Sequence, residues 1–413
     1  MKILFVTEYY PPIHMGGAEI SLKILVNKLA QLGHEVTVIT PNYTKYKTET
    51  EISKNLRVIR FKSWRYFLFK KQLRKISSEI YLRKKSSYYF QLNGYIKFSS
   101  FEIMNVVKEL LQTEDFDVIH ANNLESILAL SKIQDADIKV AHLRDFALLC
   151  WNRGLDNNGK LCEGCSLTNI QQCMGANYIL GSTLVHEINK RKNVLGKFDK
   201  MLAISNFVKM EFVKRLNVPT KKISVLYNPI SPEIVPNISK EEARQYLNLP
   251  EDKTIVLFVG TLTELKGAHL IPKIAKEVPG HLFVVVGDGP LRKMFTKSPL
   301  KNVLYVGYQP MEILRHYYKA SDILLVPSLW YEPFGRVIIE GAVNGCYVVG
   351  SDKGAIPELI HWIGYGTSVP PQSKYFAEAI KNAPQTAKHE KLKTKIIDYS
   401  NKYGEKFIKA ITE

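Results

Sequence analysis

Two successive doubly wound α/β domains are what this sequence predicts, and three observations carry that expectation. Short apolar runs of strand length, among them Ile3 to Val6, Thr254 to Val259 and Leu282 to Val286, alternate with segments of helical spacing. The alternation starts at the N-terminus and starts again after the turn-rich connection Asn228-Pro229-Ile230-Ser231-Pro232. A chain of 413 residues, 46% hydrophobic and 11% aromatic, has room for two to three cores at roughly 150 residues per domain. With 23% charged residues, 24 Gly and 19 Pro, the composition excludes collagen-like and disordered classes. No apolar run approaches the ~18 residues of a membrane span, so neither a transmembrane helix nor a secretory signal is expected, and the chain is expected to be cytoplasmic.

The elements follow in order. Lys2 to Thr7 reads as a strand, followed by a loop with Tyr10-Pro11-Pro12 and Gly16-Gly17. From Ala18 to Leu32, Ile20, Ile24, Leu25, Leu29 and Leu32 recur at helical spacing, and Gly33 sits where a helix stops. His34 to Thr40 is the next strand, completing one βαβ unit. Further strands are expected at Val58 to Phe61, Val118 to His120, Lys139 to Leu143, Met201 to Ile204 and Ile223 to Leu226. Beyond the connection, Glu241 to Leu247 reads as a helix. Strands then follow at Thr254 to Val259, Leu282 to Val286, Val303 to Val306, Ile323 to Pro327 and Tyr347 to Gly350. The division is therefore 1–230, 231–387 and a polar, helix-prone tail 388–413. Parallel sheets bind ligands beyond the carboxyl ends of their strands, so two such domains facing a central cleft would hold the working site between them.

Charge is uneven. The formal net charge is +18, and residues 1–230 hold 34 Lys+Arg against 20 Asp+Glu. Between Arg57 and Lys97 twelve basic residues face one acid, Glu79, and alternate with Trp64, Tyr66, Phe67, Phe69, Tyr81, Tyr88, Tyr89, Phe90, Tyr95 and Phe98. Cations interleaved with rings in the segment 57–98 suit an anionic membrane surface. Nucleic acid would attract the same charges, and a solvated basic face over a buried apolar one is the plain alternative.

Three loops after strands of the second half carry polar chemistry. In Gly260 to Gly267, Lys266 enters a helix start, where a lysine and backbone N–H groups can neutralise a diphosphate. Gly287-Asp288-Gly289-Pro290 allows close backbone approach to a ligand, and a tight turn explains it equally well. In Pro327 to Glu340, Glu332 lies in the loop, and Phe334-Gly335 lead into a helix with apolar Val337, Ile338 and Ile339. Glu340 then falls more than a turn inside that helix. A carboxylate there needs hydroxyls or cations, and two vicinal ribose hydroxyls would satisfy both oxygens.

These motifs together resemble the retaining GT-B glycosyltransferases of family 4. The likeness rests on Glu332-x7-Glu340 with its Glu332-Pro333-Phe334-Gly335 core, Lys266-Gly267, Gly287-Asp288-Gly289-Pro290 and Gly16-Gly17, and it covers essentially the whole chain. It implies a GT-B fold of two Rossmann-like domains, acceptor-binding first and nucleotide-sugar-binding second, with a C-terminal helix over 388–413 crossing back to the first. It also implies donor contacts from Gly16, Gly17, Gly260, Lys266, Gly287, Asp288, Glu332, Phe334, Gly335, Val337 and Glu340. Lys266 would meet the diphosphate, with the Gly16-Gly17 loop approaching the same phosphates. Glu340 would hold the ribose, and Glu332 with the N–H groups of Phe334 and Gly335 would hold the transferred sugar. His120, at a strand end, matches a histidine near sugar and acceptor. Thr261 stands where the family usually has arginine, so that either Arg336, Lys353 or Arg144 compensates or donor affinity is poor. Gly341-Ala342 also departs from the family's usual alanine and bulky residue, a difference of packing.

The resemblance implies a sugar moved from a nucleotide diphosphate donor to a glycan or lipid-linked saccharide, in surface polysaccharide or glycolipid synthesis. The basic aromatic segment adds a peripheral site on the inner membrane face. Such sites stabilise the leaving diphosphate electrostatically, so no catalytic metal is expected. Asp135-Ala136-Asp137 imitates a metal signature but sits in a polar turn. Epimerisation or phosphorolysis of a nucleotide sugar keeps the fold and changes the reaction. A basic nucleic-acid-binding protein is the alternative of another class, and it leaves Glu332 and Glu340 unexplained, so nucleic acid is not an expected partner. Cys150, Cys162, Cys165 and Cys173 fall within 24 residues, with Cys346 apart. In a reducing compartment the four suit a structural zinc on the acceptor side, free thiols in a packed insertion, or a redox pair.

Overall fold

The computed structural model describes residues 1–13, 16–65, 86–134, 137–157, 160–174, 176–297, 300–384 and 390–413, without the side chains of 86–91 and 174. The chain forms two units: Met1–Tyr227 with Lys402–Glu413, and Asn228–Asn401.

The first unit contains β1 (Lys2–Val6), β2 (Glu35–Asn42), β3 (Glu49–Ser53), β4 (Leu56–Lys62), β5 (Val118–Ala121), β6 (Ile138–Leu143), a hairpin of β7 (Asp156–Asn157) and β8 (Lys160–Leu161), β9 (Lys200–Ala203) and β10 (Ile223–Val225). The main sheet runs β10-β9-β6-β5-β1-β2-β4-β3. Every pair is parallel except β3 with β4. Ile3, Leu4, Phe5 and Val6 are all completely buried. Central parallel strands are covered on both faces, which is why they read as unbroken apolar runs. Helices α1 (Gly17–Gln31), α2 (Ser86–Leu111), α3 (Leu124–Leu130), α4 (Leu167–Met174), α5 (Tyr178–Lys192) and α6 (Asn206–Leu216) complete the unit. Asn123 and Ser205 cap α3 and α6 through the N–H groups of Ser126 and Val208.

The second unit has strands β11 (Ile255–Val259), β12 (Leu282–Val286), β13 (Val303–Gly307), β14 (Ile323–Val326), β15 (Tyr347–Ser351) and β16 (Gly366–Val369). They are ordered β13-β12-β11-β14-β15-β16, all parallel. Its helices are α7 (Lys240–Tyr246), α8 (Ile271–Glu277), α9 (Arg292–Thr296), α10 (Met311–Ala320), α11 (Arg336–Val343), α12 (Ile356–Ile363), α13 (Ser373–Lys381) and α14 (Glu390–Asn401). This strand order reverses direction between β11 and β14, the switch point at which doubly wound sheets open a crevice beyond their strand ends. The first sheet reverses between β1 and β5.

The tail departs from the single crossing helix expected over 388–413. It breaks at Lys402: α14 belongs to the second unit, and the helix Tyr403–Thr412 to the first. There Tyr403, Phe407 and Ile411, at a spacing of four, are each completely buried. Phe407 packs its ring 5.7 Å from that of Phe5. Among the described residues no helix is long and apolar enough to cross a membrane.

Candidate active site

In the second unit, backbone packing assembles the three strand-end loops. The Leu262 N–H bonds the Asp288 carbonyl at 3.0 Å, and the Leu329 N–H bonds the Leu265 carbonyl at 2.8 Å. Gly287 has φ +137°, and a Cβ there would lie 1.9 Å from the Gly260 carbonyl oxygen, so glycine is obligatory where the first two loops touch. The sequence reading missed Gly354, whose φ is +63° and whose added Cβ would lie 2.3 Å from the Glu332 nitrogen. The next residue, Ala355, donates its N–H to the Glu332 carbonyl at 2.8 Å, so the 352–355 turn holds the Glu332 backbone.

These contacts bring Lys266 and Glu332 together beyond β11 and β14. Lys266 Nζ lies 2.5 Å from Glu332 Oε1, and the same oxygen accepts from Ser328 Oγ at 2.8 Å. Lys266 also sits 4.8 Å from the centre of the Trp330 ring. Glu332 is 5% exposed while the Lys266 side chain is one-third open. An ammonium has three N–H donors, so the pair leaves Lys266 protons directed at solvent, where an anion can take them.

Glu340 lies in the second turn of α11, 5% exposed. Tyr318 donates to its Oε2 at 3.0 Å and Arg336 to its Oε1 at 3.1 Å. The sequence pointed to ribose hydroxyls as the groups that would satisfy this carboxylate, yet the protein already supplies one donor to each oxygen. A carboxylate offers about four lone-pair directions, so capacity for hydroxyls remains. Arg336 is thereby committed to Glu340. Lys353 lies 5.1 Å from the Tyr331 ring centre, and Arg144 belongs to the first unit, bonding Asn122 Oδ1 at 2.9 Å. Thr261 is exposed, Gly260, Gly287, Gly335 and Val337 are half-buried, and Phe334 is buried. Asp288 is exposed and accepts the Gly289 N–H at 2.7 Å.

In the first unit, exposed Gly16 precedes α1 and donates its N–H to Glu19 Oε2 at 3.0 Å. Glu19 thus occupies the helix start, and Gly17 begins the helix itself. His120 is placed differently from the strand-end role expected for it. It lies within β5, fully enclosed, its ring 4.8 Å from Phe5 and 5.6 Å from Phe407, with Nε2 3.1 Å from His142 Nδ1. Burial, then the Arg144 charge, holds both imidazoles well below their usual range, so they are neutral. This is the environment of a core residue. Polar groups at that sheet edge include Thr7, Glu8, Asn122 and Arg144.

Glu8 was not singled out in the sequence, yet it is the centre of this edge. It is completely buried, with Arg65 Nη1 at 2.5 Å and the Tyr95 hydroxyl at 2.8 Å; Ser99 and Tyr43 also donate to it. Arg65 is equally buried and bonds Glu102 at 2.6 Å. Burial would raise the Glu8 carboxyl, but the Arg65 charge and the hydrogen bonds from Arg65, Ser99 and Tyr43 hold it below the usual carboxylate range. Arg60 is likewise buried and reaches Glu51 at 3.0 Å, Arg57 pairs with Glu114 at 2.5 Å, and Lys97 with Glu187 at 2.8 Å. Arg60 and Arg65, both buried, therefore serve the fold, which corrects their assignment to a surface, while the Lys97 side chain stays 57% exposed. Lys70, Lys71, Arg74, Lys75, Arg83, Lys84 and Lys85 lie outside the described residues, as do Asp135 and the aromatic residues Tyr66, Phe67, Phe69 and Tyr81.

Glu125, in the first turn of α3, is pushed up to about 7 by burial and then by the Glu8 charge, against the opposing charge of Arg153. An acid so raised binds more protons folded than unfolded between the ordinary carboxylate value and about 7. Stability therefore falls as pH rises through that window and levels off above it. Glu125→Gln should flatten this slope and exceed the wild type in urea midpoint at pH ~8, with the two converging near pH ~4. Parallel pH profiles would show that Glu125 titrates normally.

Residues 239–403 match the family described as Glycosyl transferases group 1, and residues 15–144 match Glycosyltransferase Family 4. An uncharacterized glycosyltransferase of Methanocaldococcus jannaschii is 26% identical over 381 residues, 87% of this chain and 83% of the relative. The GPI3 subunit of phosphatidylinositol N-acetylglucosaminyltransferase of Saccharomyces cerevisiae is 24% identical over 364 residues, 85% of this chain and 68% of that protein. The structure of Anabaena HepE in complex with UDP and glucose matches 100% of both chains with a TM-score of 0.65 at 17% identity, a likeness of fold. Two parallel doubly wound units, the strand-end loops around Lys266, Glu332 and Glu340, and these two family matches lead to one assignment: the chain belongs to the family 4 glycosyltransferases of GT-B fold.

Proposed function

We propose that this enzyme is a retaining glycosyltransferase that takes a sugar from a nucleoside diphosphate donor and passes it to a membrane-associated acceptor, a lipid-linked saccharide of surface polysaccharide or glycolipid synthesis. The observation that carries the donor part is the Lys266–Glu332 pair at the β11/β14 switch point, followed by Glu340 in the adjoining helix. In this reading Lys266 shares its ammonium between Glu332 and the diphosphate, and the start of α11 adds partial positive charge. Glu332 holds hydroxyls of the sugar, Glu340 those of the ribose, and Gly16-Gly17 meet the phosphates. The bond from the anomeric carbon to the diphosphate oxygen breaks with its electrons leaving on the phosphate. The acceptor oxygen bonds the same face, and its proton passes to the departing phosphate oxygen. The task is charge stabilisation, which fixed donors perform without reorganisation. His120, enclosed by Phe5 and Phe407, enters only as a positioning residue.

The acceptor part is supported by the relative named for phosphatidylinositol and by three exposed rings. Trp64, Phe98 and Phe101 are 64%, 42% and 53% exposed, and the Trp64 N–H bonds Glu102 on the helix that carries the other two. Exposed rings beside a basic segment are what a peripheral site on an anionic membrane face uses, and they support this reading.

The test is a thermal-shift panel of UDP-, GDP-, ADP- and dTDP-sugars against the wild type and Glu340→Gln. A ligand at 100 times its Kd stabilises by about 2.7 kcal/mol. One nucleotide class should stabilise the wild type, and the variant should lose most of that gain. No shift with any donor would reject the reading.

A further inference from the structure

The thiols of Cys150, Cys162, Cys165 and Cys173 face separate local oxygens, those of Asn152, Gly164, Leu149 and Ile170. Among the described residues no three ligating side chains converge on a metal centre, so the cysteines as placed do not fit the zinc expected of them.

Trp330 stands between the end of β14 and Glu332 in the third loop of the second unit, and the donor reading gives it no role. Its place is set by backbone. Leu265 and Gly267 flank Lys266, and both touch the third loop. The Leu265 carbonyl accepts the N–H groups of Leu329 and Trp330 at 2.8 and 3.3 Å. Gly267 has φ +71°, and a Cβ there would lie 1.9 Å from the Pro327 carbonyl oxygen, so glycine is what lets the two loops approach this closely. Leu329 packs against the core of the unit and anchors this part of the loop. The loops are thereby clamped before and after Lys266, and Trp330 is held facing it.

The Lys266 ammonium lies over the indole, 4.8 Å from the ring centre, and 2.5 Å from Glu332 Oε1. A cation within about 6 Å of an aromatic face is attracted by the ring's negative face, and by indole most strongly. At an anion site a ring has one advantage over a carboxylate. Glu332 already cancels the formal charge of the lysine, and a second carboxylate would make the cluster net negative and repel a diphosphate. A neutral ring orients the ammonium and leaves its charge in place. The lysine stem is flexible, so two partners rather than one fix the point from which its ammonium meets a ligand.

The indole N–H points the same way. Trp330 Nε1 is enclosed and has no acceptor among the described residues. A buried N–H without a partner is unfavourable, and a phenyl ring would avoid it. What indole adds over phenyl is the stronger attraction for a cation, and Lys266 is the cation over its face.

We propose that Trp330 is a positioning residue of the donor site, its indole face fixing the Lys266 ammonium at the point from which it meets the donor's diphosphate. This rests on the donor reading above. Trp330 acts here through Lys266 alone. Its effect must therefore follow the charge on the ring face rather than the ring's volume, and must vanish when Lys266 is absent.

The test places at position 330 of the full chain tryptophans carrying one to four ring fluorines, which drain the face of negative charge with little change of shape. The probes are UDP, GDP, ADP and dTDP, and calorimetry gives each Kd. The diphosphate that the wild type binds should bind more weakly with every added fluorine, by about tenfold over the series. In the Lys266→Ala background the series should be flat. Trp330→Leu should weaken binding by about tenfold and Trp330→Phe by no more than about threefold. If Trp330→Leu does not fold, the fluorinated chains, which keep the packing, still decide. A flat series with Lys266 present, or an equal slope without it, would overturn this proposal and leave the donor reading standing. Failure of all four diphosphates to bind the wild type would overturn both.

Discussion

Lys266→Ala should lower turnover by about 10²–10³-fold, the usual cost of removing one donor that stabilises a developing anion. The side chain is the cation that the strand-end loops place beyond β11 and β14, held by Glu332 at 2.5 Å and by the Trp330 ring. Among the described residues of the second unit, Arg336 is bonded to Glu340, Lys353 rests on Tyr331, and Thr261 carries no charge. The effect should appear in kcat rather than in folding, because the lysine is one-third exposed and water can enter to solvate Glu332. Steady-state release of nucleoside diphosphate, with the donor identified by thermal shift, is the measurement. A loss below about tenfold would mean that the helix start alone carries the leaving-group charge.

Arg65→Ala should be the most damaging change to stability, by about 3–5 kcal/mol, because it strands a buried carboxylate. Arg65 and Glu8 are both completely buried, and Arg65 also joins Ser99 and Glu102. The pH dependence has a definite sign. The Glu8 carboxyl is held below its usual range, so its contribution is fully present above the unfolded carboxylate value and is lost as pH falls through the folded one. Urea unfolding should therefore show the widest gap between wild type and variant near neutrality, and a narrower one in acid. An unchanged gap would mean that packing of the Arg65 stem, rather than its charge, is what the unit needs.

The succession of strands was legible in the sequence where the strands are central. Ile3 to Val6, Ile255 to Val259 and Leu282 to Val286 are buried on both faces, so their apolar runs announce them. One edge strand of each main sheet went unread. In β3, Glu49–Ser53, four of five side chains are exposed, and in β16, Gly366–Val369, all are half-buried. Such strands are held by backbone pairing with β4 and β15, which leaves little trace in side-chain pattern. The strand-end loops of the second unit were legible for a different reason: Lys266, Gly287, Glu332 and Glu340 stand at short offsets from strand ends, and a strand end is readable.

By itself the sequence determined the α/β class, two successive sheets, the strand-end loops and the residues that carry their charge. These follow from local periodicity and from steric demands such as that of Gly287, which each residue meets with near neighbours. Only the tertiary structure decided which charges are available. It buried Arg65 against Glu8 across 57 positions, enclosed His120 between Phe5 and Phe407, and spent Arg336 on Glu340. A cation in sequence is simply a cation; whether it faces solvent or a buried carboxylate depends on partners brought together by sheet order, and the desolvation cost of a buried charge makes that pairing obligatory.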